Sequence, residues 1–124
     1  MIMEIYKEHI LDLYKNPKNK KILNNFNSEF SKNNPICGDK IKIQLLIQKN
    51  KIKDMGFTGD GCAISQASAS LLTDKIKNMP IKQVKNLTKE DVLGLLKIPI
   101  SYARLNCALL PLDAINGALE NAGN

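Results

Sequence analysis

Residues 40–48 restrict the fold more than any other segment of this 124-residue chain, because their apolar side chains recur at every second position. An extended strand places alternate side chains on opposite faces, so the pattern predicts a strand that buries one face. Apart from Leu46, the alternation is strict, with Ile41, Ile43, Leu45 and Ile47 on the apolar face and Lys42, Gln44 and Gln48 on the other. Residues 49–51 can turn the chain into a second strand over residues 52–57, which predicts an antiparallel hairpin.

Apolar residues recur at helical spacing on both sides of this hairpin. The first such segment covers residues 2–15 and ends before Pro17, because proline disfavours a helical conformation in the residue that precedes it. Residues 63–77 and 102–122 show the same spacing after the hairpin. Pro111 is expected to kink or interrupt the last helix.

Two further segments complete the pattern. Thr88 and, three residues later, Asp91 predict a helix start with an acidic first turn. Residues 16–35 are polar and predict a long loop whose anchors are Phe26 and Phe30. The order of helix, strands and helices predicts an α+β fold, with a small antiparallel sheet packed by helices on one side.

Length and composition suit one compact domain over residues 1–124, since the chain is 44% hydrophobic and long enough to bury about two-thirds of its unfolded surface. No stretch approaches the roughly 20 apolar residues of a membrane helix, and the charged amino end does not resemble a secretory signal, so we expect a cytoplasmic protein without membrane contact. The net charge of +6 indicates a lysine-rich solvated surface, with an acidic protein partner or nucleic acid as alternatives. Nucleic acid is the less favoured, because the aromatic content is 5%.

Cys37 and Asp39 are the strongest local signal for chemistry. They are separated by one glycine in a turn that follows Pro35, where two such side chains can converge on one point. Three cysteines cannot pair completely, and thiols in a reducing compartment are more often metal ligands, catalytic or merely buried. A thiolate ligand is soft and a carboxylate is hard. A metal site with three thiolates and one aspartate would therefore hold the aspartate more weakly, as a displaceable ligand.

Cys62 follows Gly59-Asp60-Gly61 and precedes a predicted helix. The glycines permit close backbone approach, and the positive end of the helix favours a thiolate at this position. A tight turn without function explains the glycines equally well. Asp60 is either a turn residue or a second carboxylate beside the site.

Cys107 resembles an ordinary core residue, and Arg104 is the reason to consider it further. Arg104 is the only arginine of the chain, and a spacing of three residues places it on the same helix face as Cys107. A guanidinium there lowers a thiol pKa and offsets the negative charge of a thiolate site. The sole histidine, His9, is expected to be a partly buried structural residue on the apolar stripe of the first helix.

Three motifs in order resemble the IscU/SufU family of iron-sulfur cluster assembly proteins, the domain also found at the amino end of NifU. They are Pro35-Ile36-Cys37-Gly38-Asp39, Gly59-Asp60-Gly61-Cys62-Ala63-Ile64-Ser65 with Ala67-Ser68-Ala69-Ser70, and Arg104-Leu105-Asn106-Cys107. The resemblance implies an α+β fold with a metal site at one end and a cysteine desulfurase as partner. It also implies that Cys37, Asp39, Cys62 and Cys107 are the ligands of a metal or cluster.

The chain departs from both branches of this family. The scaffold branch carries a histidine immediately before its third cysteine and a chaperone-binding Leu-Pro-Pro-Val-Lys segment, where this chain has Asn106 and the sequence of residues 100–104. The zinc-dependent sulfur-acceptor branch is closer through Arg104 and the second motif. That branch usually has an insertion between its second and third cysteines, whereas 44 residues lie between Cys62 and Cys107 here.

These observations predict an assembly protein that accepts persulfide sulfur from a cysteine desulfurase and serves downstream apo iron-sulfur proteins. Zinc is expected in the resting form, with Cys107 and then Cys62 as acceptor candidates and Arg104 stabilising the thiolate. One alternative is a scaffold that holds a transient 2Fe-2S cluster or iron. The other is a structural zinc module for interaction or nucleic-acid binding, which the lack of paired Cys-x-x-Cys knuckles disfavours.

Overall fold

The structure is a computed structural model that describes residues 2–35 and 38–122, with side chains from residue 7 onward. Its helices and strands follow the order α, β, β, β, α, α, α, α. They are α1 (Ile2–Lys15), β1 (Ser28–Asn33), β2 (Lys40–Gln48), β3 (Lys51–Thr58), α2 (Ala63–Ile76), α3 (Ile81–Lys85), α4 (Lys89–Leu96) and α5 (Tyr102–Ala122).

The three strands form one antiparallel sheet in the order β1-β2-β3. Phe30, Ile43 and Phe57 lie side by side across it, which places one large apolar side chain from each strand in the same row. Lys49 and Asn50 turn β2 into β3 with φ values of 54° and 62°. Two consecutive positive φ values characterise the hairpin turn whose twist matches that of the flanking strands.

The outer edge of β3 is covered by two connecting segments. Lys21 donates a backbone hydrogen bond of 3.0 Å to the carbonyl oxygen of Phe57, whose own N–H donates to Asn19. Farther along the strand, the Ile52 N–H donates to Met79 and the Asn78 N–H donates to Ile52. An unpaired edge strand exposes hydrogen-bonding groups to other chains, and these segments satisfy them within the fold.

The helices α2 and α5 pack against each other and against the sheet. The core between them is mostly aliphatic, with Phe57 as its largest fully buried side chain, and α2 is buried from Ser65 to Ser70 without interruption. Its small residues allow this close packing: the Ser68 hydroxyl donates to the Ala108 carbonyl oxygen of α5 at 2.6 Å. The predicted α+β fold, with a small antiparallel sheet packed against helices, is confirmed.

The predicted loop over residues 16–35 is wrong in its second half, where β1 forms. Its sequence lacks an alternating apolar face, and Phe30 is the one large apolar residue that β1 adds to the helix side. Pairing with β2 supplies the hydrogen bonds that hold it, which local sequence does not reveal. The short helix α3 was also not predicted.

Two predictions about the helices need correction. His9 is exposed, because among residues 7–15 of α1 the core takes only Ile10 and Leu13. Of the two effects predicted for Pro111, a kink or an interruption, the interruption is wrong, since α5 continues through the residue. Pro111 is buried there, and packing on both sides of the residue supports the helix despite the missing N–H.

The predicted start of α4 is confirmed as a capping box. The Thr88 hydroxyl accepts from the Asp91 N–H, and the Asp91 carboxylate accepts from the Thr88 N–H at 2.8 Å. Within the described residues, no helix has the length and apolar character needed to cross a membrane.

Candidate metal centre

The candidate centre lies where the loop before β2 meets the start of α2. Asp39 immediately precedes β2, Cys62 is the N-cap residue of α2, and Cys107 lies in the second turn of α5. One ligand atom from each of Asp39, Cys62 and Cys107 lies within 4.8 Å of the other two. The fold therefore brings together three residues that are distant in sequence.

Two glycines allow the loops to approach. Gly59 has a φ of +119°, and a Cβ on it would lie 2.0 Å from the carbonyl oxygen of Lys40. A Cβ on Gly61 would lie 3.1 Å from Cγ of Asp39 and 2.2 Å from Oγ of Ser65. A side chain at either position would separate the loop of Asp39 from the helix of Cys62, so the close-approach explanation for these glycines fits the structure.

Cys62 sits in extended conformation, with φ −73° and ψ 172°, at the amino end of α2. Its carbonyl oxygen accepts from the Gln66 N–H at 3.1 Å and from the Ser65 hydroxyl at 3.1 Å. Its thiol makes no capping hydrogen bond to the helix. A half-buried sulfur at this end of a helix has a favourable electrostatic environment for a negative charge.

Asp39 is 5% exposed, and none of the described residues donates a hydrogen bond to its Oδ2 atom. A buried carboxylate oxygen without a donor is costly unless a cation satisfies it. Two sulfur atoms and one carboxylate oxygen are ligands that zinc accepts, and their separations within 4.8 Å would let all three reach one ion. The described residues therefore fit a zinc ion.

Cys37 lies outside the described residues. Two backbone hydrogen bonds join the residues that flank positions 36 and 37. The Gly38 N–H donates to the Asn34 carbonyl oxygen, and the Asn34 N–H donates to the Asp39 carbonyl oxygen, each at 2.8 Å. Gly38 has a φ of +78°, which glycine adopts without strain.

Arg104 lies in the first turn of α5 and is exposed, one turn before the buried Cys107. Asp60 is exposed as well, and its carbonyl oxygen accepts from the Lys40 N–H at 2.8 Å. This bond fits the turn-residue explanation for Asp60.

A cleft of about 150 Å³ lies between the end of β1 and α5, and Asn106 lines it together with Lys32 and Asp113. Burial raises the pKa of the Asp113 carboxyl above its ordinary value, while the charge of Lys32 acts in the opposite direction. Asn106 itself is exposed at this position.

In the sequence, Ser65 stands out only as the last residue of the motif Gly59-Asp60-Gly61-Cys62-Ala63-Ile64-Ser65. In the structure it is fully buried beside Asp39 and Gly61. Its position three residues after Cys62, on the first turn of the helix, is the one signal in the sequence that places it near the site.

The family profile described as NifU-like N terminal domain matches residues 5–122. The chain belongs to this family. The match includes all three motifs and therefore also confirms the resemblance to SufU and IscU proteins.

Relatives come from both branches of the family. The zinc-dependent sulfurtransferase SufU of Bacillus subtilis (strain 168) is 34% identical over 142 aligned positions, which cover 97% of this chain and 94% of the relative. Because the alignment is longer than the chain, that relative carries residues that this chain lacks. The iron-sulfur cluster assembly enzyme IscU of Drosophila melanogaster is 33% identical, with coverages of 94% and 77%.

Solved structures agree with the fold. A SufU protein of Fervidobacterium islandicum AW-1, described as a scaffold for the SUF system, superimposes with a TM-score of 0.77 at 27% identity, covering 90% of this chain and 94% of that one. The amino-terminal part of a NifU-like protein from Brucella abortus has a TM-score of 0.79 at 18% identity, covering 98% and 96%, and supports the fold alone.

Proposed function

We propose that this chain is an iron-sulfur cluster assembly protein that accepts persulfide sulfur from a cysteine desulfurase. The reaction would take place at a metal site formed by Cys37, Asp39, Cys62 and Cys107. The observation that carries the proposal is the convergence of ligand atoms from Asp39, Cys62 and Cys107 within 4.8 Å. The names of the relatives, a zinc-dependent sulfurtransferase and several assembly scaffolds, support the same chemistry.

Cys37 completes the proposed ligand set by its place in the sequence. One residue separates it from Asp39, so both side chains can reach one ion. A bound zinc ion would supply charge that keeps the site thiols deprotonated and ordered. Asp39 would be the ligand that leaves most easily, because the three sulfur ligands bind this metal more firmly.

The sulfur transfer is a thiolate attack on a sulfur-sulfur bond. A site thiolate attacks the terminal sulfur of the desulfurase persulfide and forms a new sulfur-sulfur bond. The bond to the inner sulfur breaks, and that sulfur leaves as the thiolate of the desulfurase cysteine. The terminal sulfur is thus moved as a persulfide, and no external oxidant or reductant is needed.

Cys107 and Cys62 remain the acceptor candidates, and their burial differs. Cys107 is 1% exposed, whereas Cys62 is half-buried at the helix end. A persulfide held on another protein must reach the acceptor, so exposure favours Cys62 over Cys107. Arg104 instead favours Cys107 as the acceptor, because it is a cation one turn away that would stabilise the Cys107 thiolate.

Transfer is tested by mixing the purified chain with a cysteine desulfurase and sulfur-labelled cysteine, followed by isolation without reductant. We expect label on the chain that a thiol reductant removes. The variants Cys37→Ser, Cys62→Ser and Cys107→Ser identify the acceptor cysteine. Substitution of the acceptor should abolish labelling in a variant that still folds without zinc. An unlabelled chain beside a persulfidated desulfurase would contradict the proposal.

A second function is favoured by the relatives named as scaffolds, such as IscU 1 of Archaeoglobus fulgidus. In that case the same four residues hold a transient 2Fe-2S cluster for downstream apo iron-sulfur proteins. Anaerobic reconstitution with iron and sulfide followed by visible absorption separates the two functions, because a zinc-only protein stays colourless.

A further inference from the structure

The buried carboxylate of Asp39 and the buried hydroxyl of Ser65 both lie close to Gly61. A Cβ placed on Gly61 would lie 3.3 Å from Oδ2 of Asp39 and 2.2 Å from Oγ of Ser65. Both oxygens are therefore close to the same point beside Gly61, and a side chain on that residue would clash with the Ser65 hydroxyl. Ser65 is 0% exposed, so water does not reach this hydroxyl from outside.

The present hydrogen bond of Ser65 can be given up at little cost. Its hydroxyl donates to the Cys62 carbonyl oxygen at 3.1 Å. The same oxygen also accepts from the Gln66 N–H at 3.1 Å. If the hydroxyl turns away, the Cys62 carbonyl keeps a partner, and no buried acceptor is left unsatisfied.

The carboxylate, in contrast, needs a donor whenever it is not bound to a cation. None of the described residues supplies one to Oδ2 of Asp39, which is buried. A charged buried acceptor without a partner is far more costly than a neutral one. A rotation of the Ser65 side chain to another staggered rotamer moves its oxygen by about 2 Å, and Gly61 has no Cβ to obstruct it.

We propose that Ser65 is a positioning residue that receives the Asp39 carboxylate when it leaves the metal. With Asp39 on the metal, the Ser65 hydroxyl donates to Cys62. With Asp39 released, the hydroxyl donates to Oδ2 and stabilises the open form of the site. This inference rests on the proposed metal site and specifies how its weakest ligand opens to admit a persulfide.

Removal of the hydroxyl should therefore make the site harder to open. Ser65→Ala is expected to slow zinc transfer from the protein to an excess of a coloured chelator by about tenfold, since the open form loses a hydrogen bond to a charged group. Ser70→Ala is the matched control: Ser70 is equally buried on α2, but its hydroxyl accepts from the Lys18 N–H, away from the site. Its zinc transfer rate should stay within about twofold of the unsubstituted chain.

A double-mutant cycle distinguishes the proposed role of Ser65 from a merely structural one. In an Asp39→Ala background, Ser65→Ala should leave the zinc transfer rate unchanged, because the carboxylate it would receive is absent. An equal slowing in both backgrounds would overturn the inference, as would no slowing in the presence of Asp39. Thermal unfolding of the metal-free variants measures any general loss of packing.

The side-chain torsion of Ser65 gives a test that needs no variant. NMR couplings should report one Ser65 rotamer in the zinc-loaded chain and a shift towards a second in the metal-free chain. The same single rotamer in both forms would overturn the role of Ser65 while leaving the metal site intact. A chain that retains no zinc would overturn the proposed function and this inference together.

Discussion

The backbone N–H of Lys40 donates a 2.8 Å hydrogen bond to the carbonyl oxygen of Asp60, and this bond joins the two loops of the candidate metal centre. Lys40 follows Asp39, and Asp60 precedes Cys62 by two residues. The ligands are thus placed by main-chain contacts, which do not require the metal. Such preorganisation holds the donor atoms near one another before an ion binds.

Gly59→Ala should damage this junction. A Cβ there would lie 2.0 Å from the Lys40 carbonyl oxygen, and the φ of +119° is strained for any residue with a side chain. We expect the free energy of unfolding to fall by about 1–3 kcal/mol and zinc bound per chain to fall with it. Denaturant unfolding and metal analysis measure the two effects.

Gly94→Ala is the control for that variant. Gly94 lies inside α4, and no atom lies within 4 Å of a Cβ at its position. Alanine restricts the unfolded chain and favours the helix, so stability should rise by about 0.4–1 kcal/mol. Equal effects of the two substitutions would show that Gly59 is not needed for loop approach.

Asp39→Ala should have opposite consequences in the two forms of the protein. The metal-free chain loses a buried carboxylate, and the Ser65 hydroxyl proposed to donate to it keeps the Cys62 carbonyl oxygen as its partner, so the Tm should stay the same or rise. The zinc-loaded chain loses a ligand, so the increase in Tm on adding zinc should shrink. Thermal unfolding with and without zinc measures both.

Asp60→Ala is the matched control for Asp39→Ala, because it removes an exposed carboxylate from the same pair of loops. The Asp60 carbonyl that accepts from Lys40 belongs to the main chain and is retained. Zinc should therefore raise the Tm of this variant as much as that of the unsubstituted chain. A reduced rise in both variants would indicate nonspecific charge attraction instead of ligation by Asp39.

The sequence predicts those parts of the fold whose signal is local. The alternation over residues 40–48 predicts β2, and Thr88 with Asp91 predicts the capped start of α4. In contrast, β1 depends on hydrogen bonds to β2, and its six residues contain a single large apolar side chain. Strands of this kind follow from tertiary context rather than from intrinsic propensity.

The residues of the candidate centre also divide into those with a local sequence signal and those that depend on tertiary context. Cys62 and Asp39 are recognisable because each stands beside glycines in a turn, whereas Cys107 looks like a core residue and needed Arg104 and the family resemblance. The fold explains Cys107 by packing: the Ser68 hydroxyl bonds to Ala108 and draws the second turn of α5 towards α2. The spacing of three residues from Cys62 is the only sequence signal for Ser65, because its proximity to Asp39 depends on the missing side chain of Gly61.

Gly117→Ala should loosen the contact between α5 and β1. A Cβ on Gly117 would lie 2.3–2.6 Å from three atoms of the Phe30 ring. The ring packs against the core, so the ring or the helix would have to shift, at a cost of about 1–3 kcal/mol. Denaturant unfolding should show this loss, and the double variant Phe30→Leu/Gly117→Ala should recover part of it, since leucine is smaller. No recovery would mean that the loss arises within the helix and not at the ring.

The capping box of α4 should make part of the stability depend on pH. Hydrogen bonds from Thr88 lower the pKa of the Asp91 carboxyl, first from its backbone N–H and then from its hydroxyl, while the slight burial acts in the opposite direction. Because the folded pKa is below the unfolded one, the stabilisation is complete above the unfolded value of 3.8 and is lost as the pH falls through the folded pKa. Asp91→Asn should therefore lower the Tm near neutral pH, and the difference from the unsubstituted chain should vanish in acid.

Glu90→Gln removes the neighbouring carboxylate of the same turn, which accepts no hydrogen bond from Thr88 in the capping box, and should change the Tm less. A Tm difference for Asp91→Asn that is the same at both ends of the pH range would contradict an ionised cap.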